Sequence, residues 1–417
     1  LKDELAVHLH SKPAGTLRRT ESGLTFDYSE NAQQQISLSM PVSETLYTNL
    51  ACEAYFGGLL PENIESRTQI ARKLNANAAD TFSLLRVIGH ECAGAISLTE
   101  EDAKVPVDNF NPDGKELTEA ELAEAIKTLP RSPLFIDAGA RLSLAGYQGK
   151  AAITLIEGKI CIPENGSLST HILKPNIQDK EGIGRNSVQN EFICLRIARN
   201  LGLPVASAEI GKAIDQLYLL VERYDRMRTD NGITRVHQED FCQALGFPST
   251  NKYEADYGPS FENCAFLISK LTRPAKEKLT FLRYVIFNYL TGNADAHAKN
   301  YSVLHVANNN FILAPLYDTV ATMAFPDLNN KMAMKIGESY DFLSVTRQDW
   351  LDLSLDLAVS FQLLRKEVLA QARKIPAIAE KEILRLGATE HNVSFQNMSD
   401  AINKICLHAE RTIQLDG

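Results

Sequence analysis

No stretch of this 417-residue chain reaches ~18 uninterrupted apolar residues, so no membrane-spanning helix is expected. The seven cysteines, at 52, 92, 161, 194, 242, 264 and 406, include no C-x-x-C pair. The usual zinc-ligand spacing is therefore missing, and an odd, dispersed set in a large chain argues against a disulfide framework. It reads instead as buried, reduced thiols in a cytoplasmic protein. Positive charge is in short supply: 43 Lys and Arg against 52 Asp and Glu leave a formal charge of −9. The surface as a whole is not that of a polyanion binder, and nucleic-acid contact would need a local basic patch or a separate partner. Internal repeats and low-complexity tracts are missing. The opening Leu1-Lys2-Asp3-Glu4-Leu5 carries acids where a signal peptide would have an apolar run. The phosphate-loop pattern G-x-x-x-x-G-K-[ST] is also absent.

What is present is the balance of an ordinary globular protein, 44% hydrophobic and 23% charged. The length predicts two or three domains. Residues 17–105 mix short strands and helices: Ile36-Ser37-Leu38-Ser39-Met40-Pro41 alternates like a strand, and 64–74 has helical spacing. The polar, turn-rich segment 105–116 is the best early boundary. A short helix is expected over 118–129, with Thr118 as N-cap and Glu121 completing a capping box. Residues 151–156 and 160–162 flank Glu157-Gly158-Lys159 as a hairpin. Further strands are expected at 171–174 and 217–221. A helix over 187–201 ends at Gly202. From Gln238 onward helical periodicity dominates, for example over 351–369 and 377–386. The expected architecture is α+β and two-lobed, with a β-rich N-terminal half and an all-helical C-terminal lobe. Its parts are an N-terminal α/β subdomain (1–108), a β-rich region (109–225) and a helical lobe (226–417).

The chemistry concentrates in Asn293-Ala294-Asp295-Ala296-His297-Ala298-Lys299-Asn300, directly after an apolar run, with Leu316-Tyr317-Asp318 following. Phosphoryl transfer needs one Asp to receive the proton of the attacking hydroxyl, and an Asn and a second Asp to hold Mg²⁺ against the ATP phosphates. The spacing Asp-x-x-x-x-Asn followed by Asp is that of a kinase catalytic loop, and a β-rich half before a helical one fits a two-lobed, protein-kinase-like fold with phosphate loop and hinge within 109–225. Upstream, 141–150 (RLSLAGYQGK) offers Gly146 and Gly149, which let backbone N–H groups approach an anion. Lys174 closes an apolar strand and could reach the phosphates, with Glu191 on the next helix as its candidate partner. Glu222-Arg223-Tyr224-Asp225-Arg226 falls where a kinase hinge meets adenine.

These pieces in this order resemble the HipA family of serine/threonine kinase toxins from bacterial toxin–antitoxin modules. The matching segments are 59–63 (LLPEN), 143–150 (SLAGYQGK), 170–174 (THILK), Asn190-Glu191, 221–226 (VERYDR), 237–240 (HQED), 252–254 (KYE), 295–300 (DAHAKN) and Tyr317-Asp318. They run through most of the chain.

The resemblance implies Asp295 as catalytic acid/base, with Lys174 and Asn300 completing the catalytic set, and Mg²⁺ on Asn300 and Asp318. It implies ATP contacts from Ala145, Gly146, Gln148, Lys150, Lys174, Glu222, Tyr224, Gln238, His297, Lys299, Asn300 and Asp318. It makes Ser143 the autophosphorylated serine, whose phosphate would eject the phosphate loop and switch the kinase off. It further implies a helix-turn-helix antitoxin dimer that neutralises the kinase. Operator DNA would be reached mainly through that partner, with operon repression by the complex. Growth arrest or persistence would come from phosphorylating a translation component, an aminoacyl-tRNA synthetase being the precedent. Tyr147 and Gly149 depart from the family's phosphate-loop run. A small-molecule or lipid kinase with the same loop, and a scaffold that lost the chemistry, are the other readings. Retention of Lys174, Asp295, Asn300 and Asp318 together argues against the scaffold.

Overall fold

Alternating apolar residues in the first hundred positions build strands β1 (Glu4–Leu9), β2 (Lys12–Thr20) and β3 (Gly23–Tyr28), then helices α1 (Asn49–Phe56), α2 (Ile64–Leu74) and α3 (Thr81–Ile88), then β4 (Ile96–Thr99). Leu5, Val7 and Leu9 share the inner face of β1, as a period of two requires. The strands form an antiparallel sheet in the order β3-β2-β1-β4. The Asn63 side chain accepts hydrogen bonds from the backbone of Glu65 and Ser66 and starts α2 at its expected first residue. The computed structural model describes residues 3–43, 46–100, 103–108, 110–129, 149–164, 167–177, 186–307, 309–387 and 393–414.

A second sheet follows. Its elements are β5 (Gly114–Glu116), α4 (Glu119–Thr128), β6 (Ala151–Ile156), β7 (Lys159–Pro163), β8 (His171–Pro175), α5 (Ser187–Asn200), β9 (Ala208–Ala213) and β10 (Gln216–Glu222). Strand order is β5-β7-β6-β8-β10-β9. The capping box on α4 forms as read, Thr118 with Glu121. The β6–β7 hairpin turns on Glu157 and Gly158, with φ of 50° and 80°, the doubly left-handed turn whose twist suits a hairpin. α5 ends at Gly202 (φ 76°): the Gly202 N–H bonds to Arg199 O, and the Leu203 N–H to Ala198 O. Leu5, Phe26, Phe56 and Leu85 of the first sheet's layer join Ile126, Ile153, Leu173 and Leu220 of the second in one core.

The remaining elements are β11 (Arg226–Thr229), β12 (Gly232–Arg235), β13 (His237–Asp240), α6 (Phe241–Leu245), α7 (Phe261–Ser269), α8 (Pro274–Leu290), β14 (Ser302–Val306), β15 (Asn310–Leu313), α9 (Arg347–Asp356), α10 (Phe361–Ala372), α11 (Ile375–Arg385) and α12 (Val393–Gln414). The chain is therefore α+β, β-rich in its first half and helical in the main beyond it. The short strands β11 to β15 are additions to the expected all-helical C-terminal part. Two compact units emerge. The first comprises Leu1–Val188, Ser207–Thr250 and Val303–Asn310. The second comprises Gln189–Ala206, Asn251–Ser302 and Phe311–Gly417. The core of the second unit gathers Tyr289, Phe342 and Trp350, whose rings meet at 5.0–5.6 Å, and the indole N–H donates to Thr412 Oγ1. All seven cysteines are buried free thiols. Among the described residues no helix is long and apolar enough to cross a membrane.

Two expected elements differ. Residues 36–41 form a tight turn, with the Met40 N–H on Ser37 O, not a strand. Ser37 turns its hydroxyl inward onto the buried Glu239 carboxyl, and Pro41 has no N–H to give a ladder. The expected helix 351–369 is two helices, α9 and α10. Ala358 adopts φ 49°, and the Ala358 and Val359 N–H groups close α9 on Leu355 O and Ser354 O. Ser360 then caps α10 by accepting from the Leu363 N–H. Alanine in a left-handed helix end leaves no signal in the sequence, since glycine is the usual residue there.

Glu239 is the buried knot of the first unit. Its carboxyl accepts from the Leu38 N–H and from Ser37, and lies 2.8 Å from His305 Nε2. Burial pushes Glu239 up from 4.5 to about 8 and His305 down from 6.5 to about 3. The folded pair thus carries one proton from about pH 3 to 8. The unfolded pair carries two protons below 4.5, one between 4.5 and 6.5, and none above 6.5. The folded state holds the extra proton from pH 6.5 to 8, so stability falls as pH rises through that window. It holds one fewer from 4.5 down to 3, so stability also falls as pH drops there. Glu239→Gln should remove the alkaline loss: in thermal melts its Tm should decline less than the wild type's between pH 6.5 and 8. Parallel declines would refute the assignment.

Candidate active site

The segment after α8 is held by a buried carboxamide. Asn288, on the last turns of α8, accepts from Asn293 Nδ2 (2.9 Å) and Thr319 Oγ1 (3.2 Å), and donates to Tyr301 Oη (2.9 Å). Asn293 in turn accepts the Asp295 N–H, and Thr322 Oγ1 accepts the Ala294 N–H. The chain bends between them at Gly292, φ 69°. A Cβ there would meet Met323 at 2.9 Å, so glycine is required.

Asp295 emerges from this buried base with its side chain 54% exposed, whereas residues 291–294 and 297–299 are buried. Its carbonyl oxygen accepts the His297 N–H and Asn300 Nδ2, both at 2.8 Å, and the Asn300 N–H bonds to His297 O. The five-residue spacing thus closes a tight turn that brings Asp295 and Asn300 together. The carboxamide nitrogen of Asn300 faces that carbonyl, which turns its oxygen the other way. His297 is buried, with Nε2 3.7 Å from Asp295 Oδ1. Lys299 is buried too, and its carbonyl accepts the Tyr317 O–H (2.8 Å). Tyr317, the residue before Asp318, is therefore tied to the turn. Asp318 itself sits at φ 51°, a left-handed conformation uncommon outside glycine. Just beyond it, Asn190 grips the backbone of Ala321 through both its amide atoms.

The first unit carries the remaining expected contacts. Lys174 lies in β8 opposite Leu219 and is 6% exposed, not a strand-end lysine in water. Glu191, in the second unit, is also buried. Lys150 is half-buried, and Glu222 is exposed at the end of β10. Next to it the chain turns into a buried ion network. Asp225 accepts from Arg223 at 2.8 and 2.9 Å, from the Gly94 N–H at 2.7 Å and from Gln238 Nε2 at 3.0 Å, with Arg226 3.2 Å away. Arg223 and Arg226 both reach Glu91, which also holds Ser169. Burial by itself would raise Asp225; Arg223 and Arg226 outweigh it and hold the carboxyl well below the usual range. Tyr224, half-buried, donates to Gln238 Oε1 at 2.5 Å. Two of the expected ATP contacts, Tyr224 and Gln238, are thus bonded to each other and fixed by Asp225. Of the hinge charges, Glu222 is solvated at the strand end, whereas Arg223, Asp225 and Arg226 form a buried support. Gly94 (φ 71°) allows it, since a Cβ would lie 2.5 Å from the Gln238 nitrogen.

Ser143, Ala145, Gly146 and Gln148 lie outside the described residues. Sequence reading gave no role to Asn288, Asn293, Asp225 or Tyr253; Tyr253 donates to Asp295 Oδ1 at 2.7 Å. Among the described residues no group of three His, Cys, Asp or Glu could cage a metal by itself. Asn300 and Asp318 do offer hard oxygen donors, and Mg²⁺ is ordinarily held by one or two carboxylates plus substrate phosphates. The donor set fits that ion.

The sequence profile of the HipA N-terminal domain matches residues 5–99, and that of the HipA-like C-terminal domain matches 142–383. The serine/threonine-protein kinase toxin HipA of Shewanella oneidensis is 31% identical over 411 residues, covering 94% of this chain and 92% of that protein. A putative kinase of Sinorhizobium fredii, Y4mE, is 39% identical over 338 residues, covering 80% and 79%. A solved complex of Shewanella oneidensis HipA, HipB and operator DNA contains a chain similar to this one. The TM-score is 0.83 at 29% identity, with 98% of this chain and 97% of that chain covered.

Removing the Asp225 carboxylate leaves two buried guanidinium groups without it. Asp225→Ala should destabilise the protein by about 3–5 kcal/mol in chemical denaturation. A loss under about 1 kcal/mol would mean that the network is not the support inferred above.

Proposed function

The chain belongs to the HipA family of serine/threonine-protein kinase toxins, and from that membership we propose that it transfers the γ-phosphoryl group of ATP to a serine or threonine hydroxyl, its own Ser143 included. The observation that carries this reading is the exposed Asp295 carboxylate, standing on a buried turn that also holds Asn300 and Tyr317, the residue before Asp318. Asp295 takes the proton of the acceptor hydroxyl as the oxygen–phosphorus bond forms. Asn300 and Asp318 hold Mg²⁺, which when bound supplies neutralising charge to the phosphate oxygens. Lys174 and Lys150 bind phosphate, with backbone of Ala145, Gly146 and Gln148. Glu222 and Tyr224 meet adenine, and Gln238, His297 and Lys299 complete the ATP contacts. Phospho-Ser143 adds about two negative charges beside the phosphate loop and shuts the enzyme off.

The partner in this reading is a small helix-turn-helix antitoxin, through which the chain of charge −9 reaches operator DNA and represses its operon. The structural relative crystallised with HipB and operator DNA supports that assignment. The acceptor in the cell is a component of translation, an aminoacyl-tRNA synthetase or another factor, and phosphorylating it arrests growth. The setting is the cytoplasm.

Incubation with labelled ATP and Mg²⁺, followed by peptide mass mapping, tests the reading. Label is expected at Ser143, and Ser143→Ala should abolish it. Asp295→Asn should cut transfer on the order of 10²-fold or more, because an amide cannot take the hydroxyl proton. Asp318→Ala should weaken the Mg²⁺ dependence of ATP affinity in titration calorimetry. Full activity of Asp295→Asn, or phosphate at a residue other than Ser143, would remove the corresponding assignment. Labelling of a lipid or small alcohol in place of protein would favour the alternative kinase class.

A further inference from the structure

The Asp295 carboxylate poses a mechanical problem. Its backbone is fixed at both ends, by Asn293 on the N–H and by His297 and Asn300 on the carbonyl. Its side chain is 54% exposed, so packing alone does not set the rotamer. A base that must meet a hydroxyl in one direction needs its carboxylate plane held, since misplacement by about an ångström costs orders of magnitude in rate.

Tyr253 supplies that hold. Its phenol O–H donates to Asp295 Oδ1 at 2.7 Å. The phenol is itself constrained. The His297 ring meets it edge-on at 5.3 Å, and the Lys252 ammonium lies 5.1 Å from the ring centroid. The loop beneath is closed on itself and pinned to residues 333–335 of the same unit. The Gly258 N–H bonds to Tyr253 O, the Glu254 N–H bonds to Ala333 O, and the Glu254 carboxylate accepts the Lys335 N–H at 2.8 Å. Gly258 is needed for that closure, because a Cβ would lie 2.3 Å from Asn251 O and 2.6 Å from Tyr253 O. The tyrosine therefore stands on as firm a base as the aspartate it touches.

We propose that Tyr253 is the positioning residue of the transfer: it occupies Oδ1 of Asp295 and thereby presents Oδ2 to the acceptor hydroxyl. This rests on the phosphoryl-transfer reading of Asp295. No proton leaves Tyr253; the hydroxyl proton of the acceptor goes to Oδ2 while its oxygen bonds to the γ-phosphorus and ADP departs. The geometry also makes a rival arrangement explicit, in which the phenol stands where an acceptor hydroxyl would dock and must be displaced.

The full chain is assayed with labelled ATP and Mg²⁺ for self-labelling and for labelling of dephosphorylated casein. Wild type, Tyr253→Phe and Asp295→Asn are compared. Phenylalanine keeps the ring against His297 and Lys252 and removes the O–H alone. A roughly tenfold fall in kcat, with KM for ATP and Tm unchanged, is expected of a positioning group. A faster variant, or a lower KM for casein, means the phenol blocks the acceptor and overturns the proposal. Phosphate mapped onto Tyr253 itself overturns it as well. If Asp295→Asn is inactive and Tyr253→Phe runs at the wild-type rate, this inference fails alone. If wild type labels neither acceptor, the transfer reading fails and this inference with it.

Discussion

One carboxamide, that of Asn288, organises the stretch of the second unit that carries Asp295, Asn300 and Asp318. A buried amide is costly to leave unpaired, so each of its atoms demands a partner. The partners come from three stretches of chain: Asn293 ahead of Asp295, Tyr301 behind Asn300, and Thr319 beside Asp318. Satisfying Asn288 therefore brings the flanks of all three chemically interesting residues to one point. The exposed carboxylate of Asp295 stands on this buried layer.

The first unit uses charge for a similar end. Glu91, Arg223, Asp225 and Arg226 are all buried, and none could be so without the others. The network joins the turn after α3 to the end of β10. Its outermost bond, Asp225 to Gln238, sets the amide that faces Tyr224. Buried ion pairs are poor sources of net stability compared with apolar packing. Their strength is directional, and here the direction fixes two polar side chains.

Much of the local structure was legible in the sequence because its causes are local. The capping box on α4, the Glu157–Gly158 hairpin and the glycine stop of α5 each follow from residues within a few positions. The same holds for Asp295 and Asn300, whose spacing is itself the geometry. What could not be read depends on contacts across the chain. Tyr253 meets Asp295 from 42 residues away, and Glu91 meets Arg223 from 132. Residues 36–41 alternate like a strand, yet the inward pull of Glu239 on Ser37 turns them. Ala358 ends a helix in a conformation that its residue type argues against.

The seven buried thiols have a practical consequence. Burial raises Cys92 and Cys194 to about 12, so almost no thiolate exists at neutral pH while the fold is closed. Cys52, Cys92, Cys161 and Cys242 lie in the first unit, and Cys194, Cys264 and Cys406 in the second. Each is a concealed chronometer: its alkylation rate counts how often its own neighbourhood opens. The two units therefore carry separate sets of internal clocks, written by composition alone, and each set can time the breathing of its unit without any engineered label.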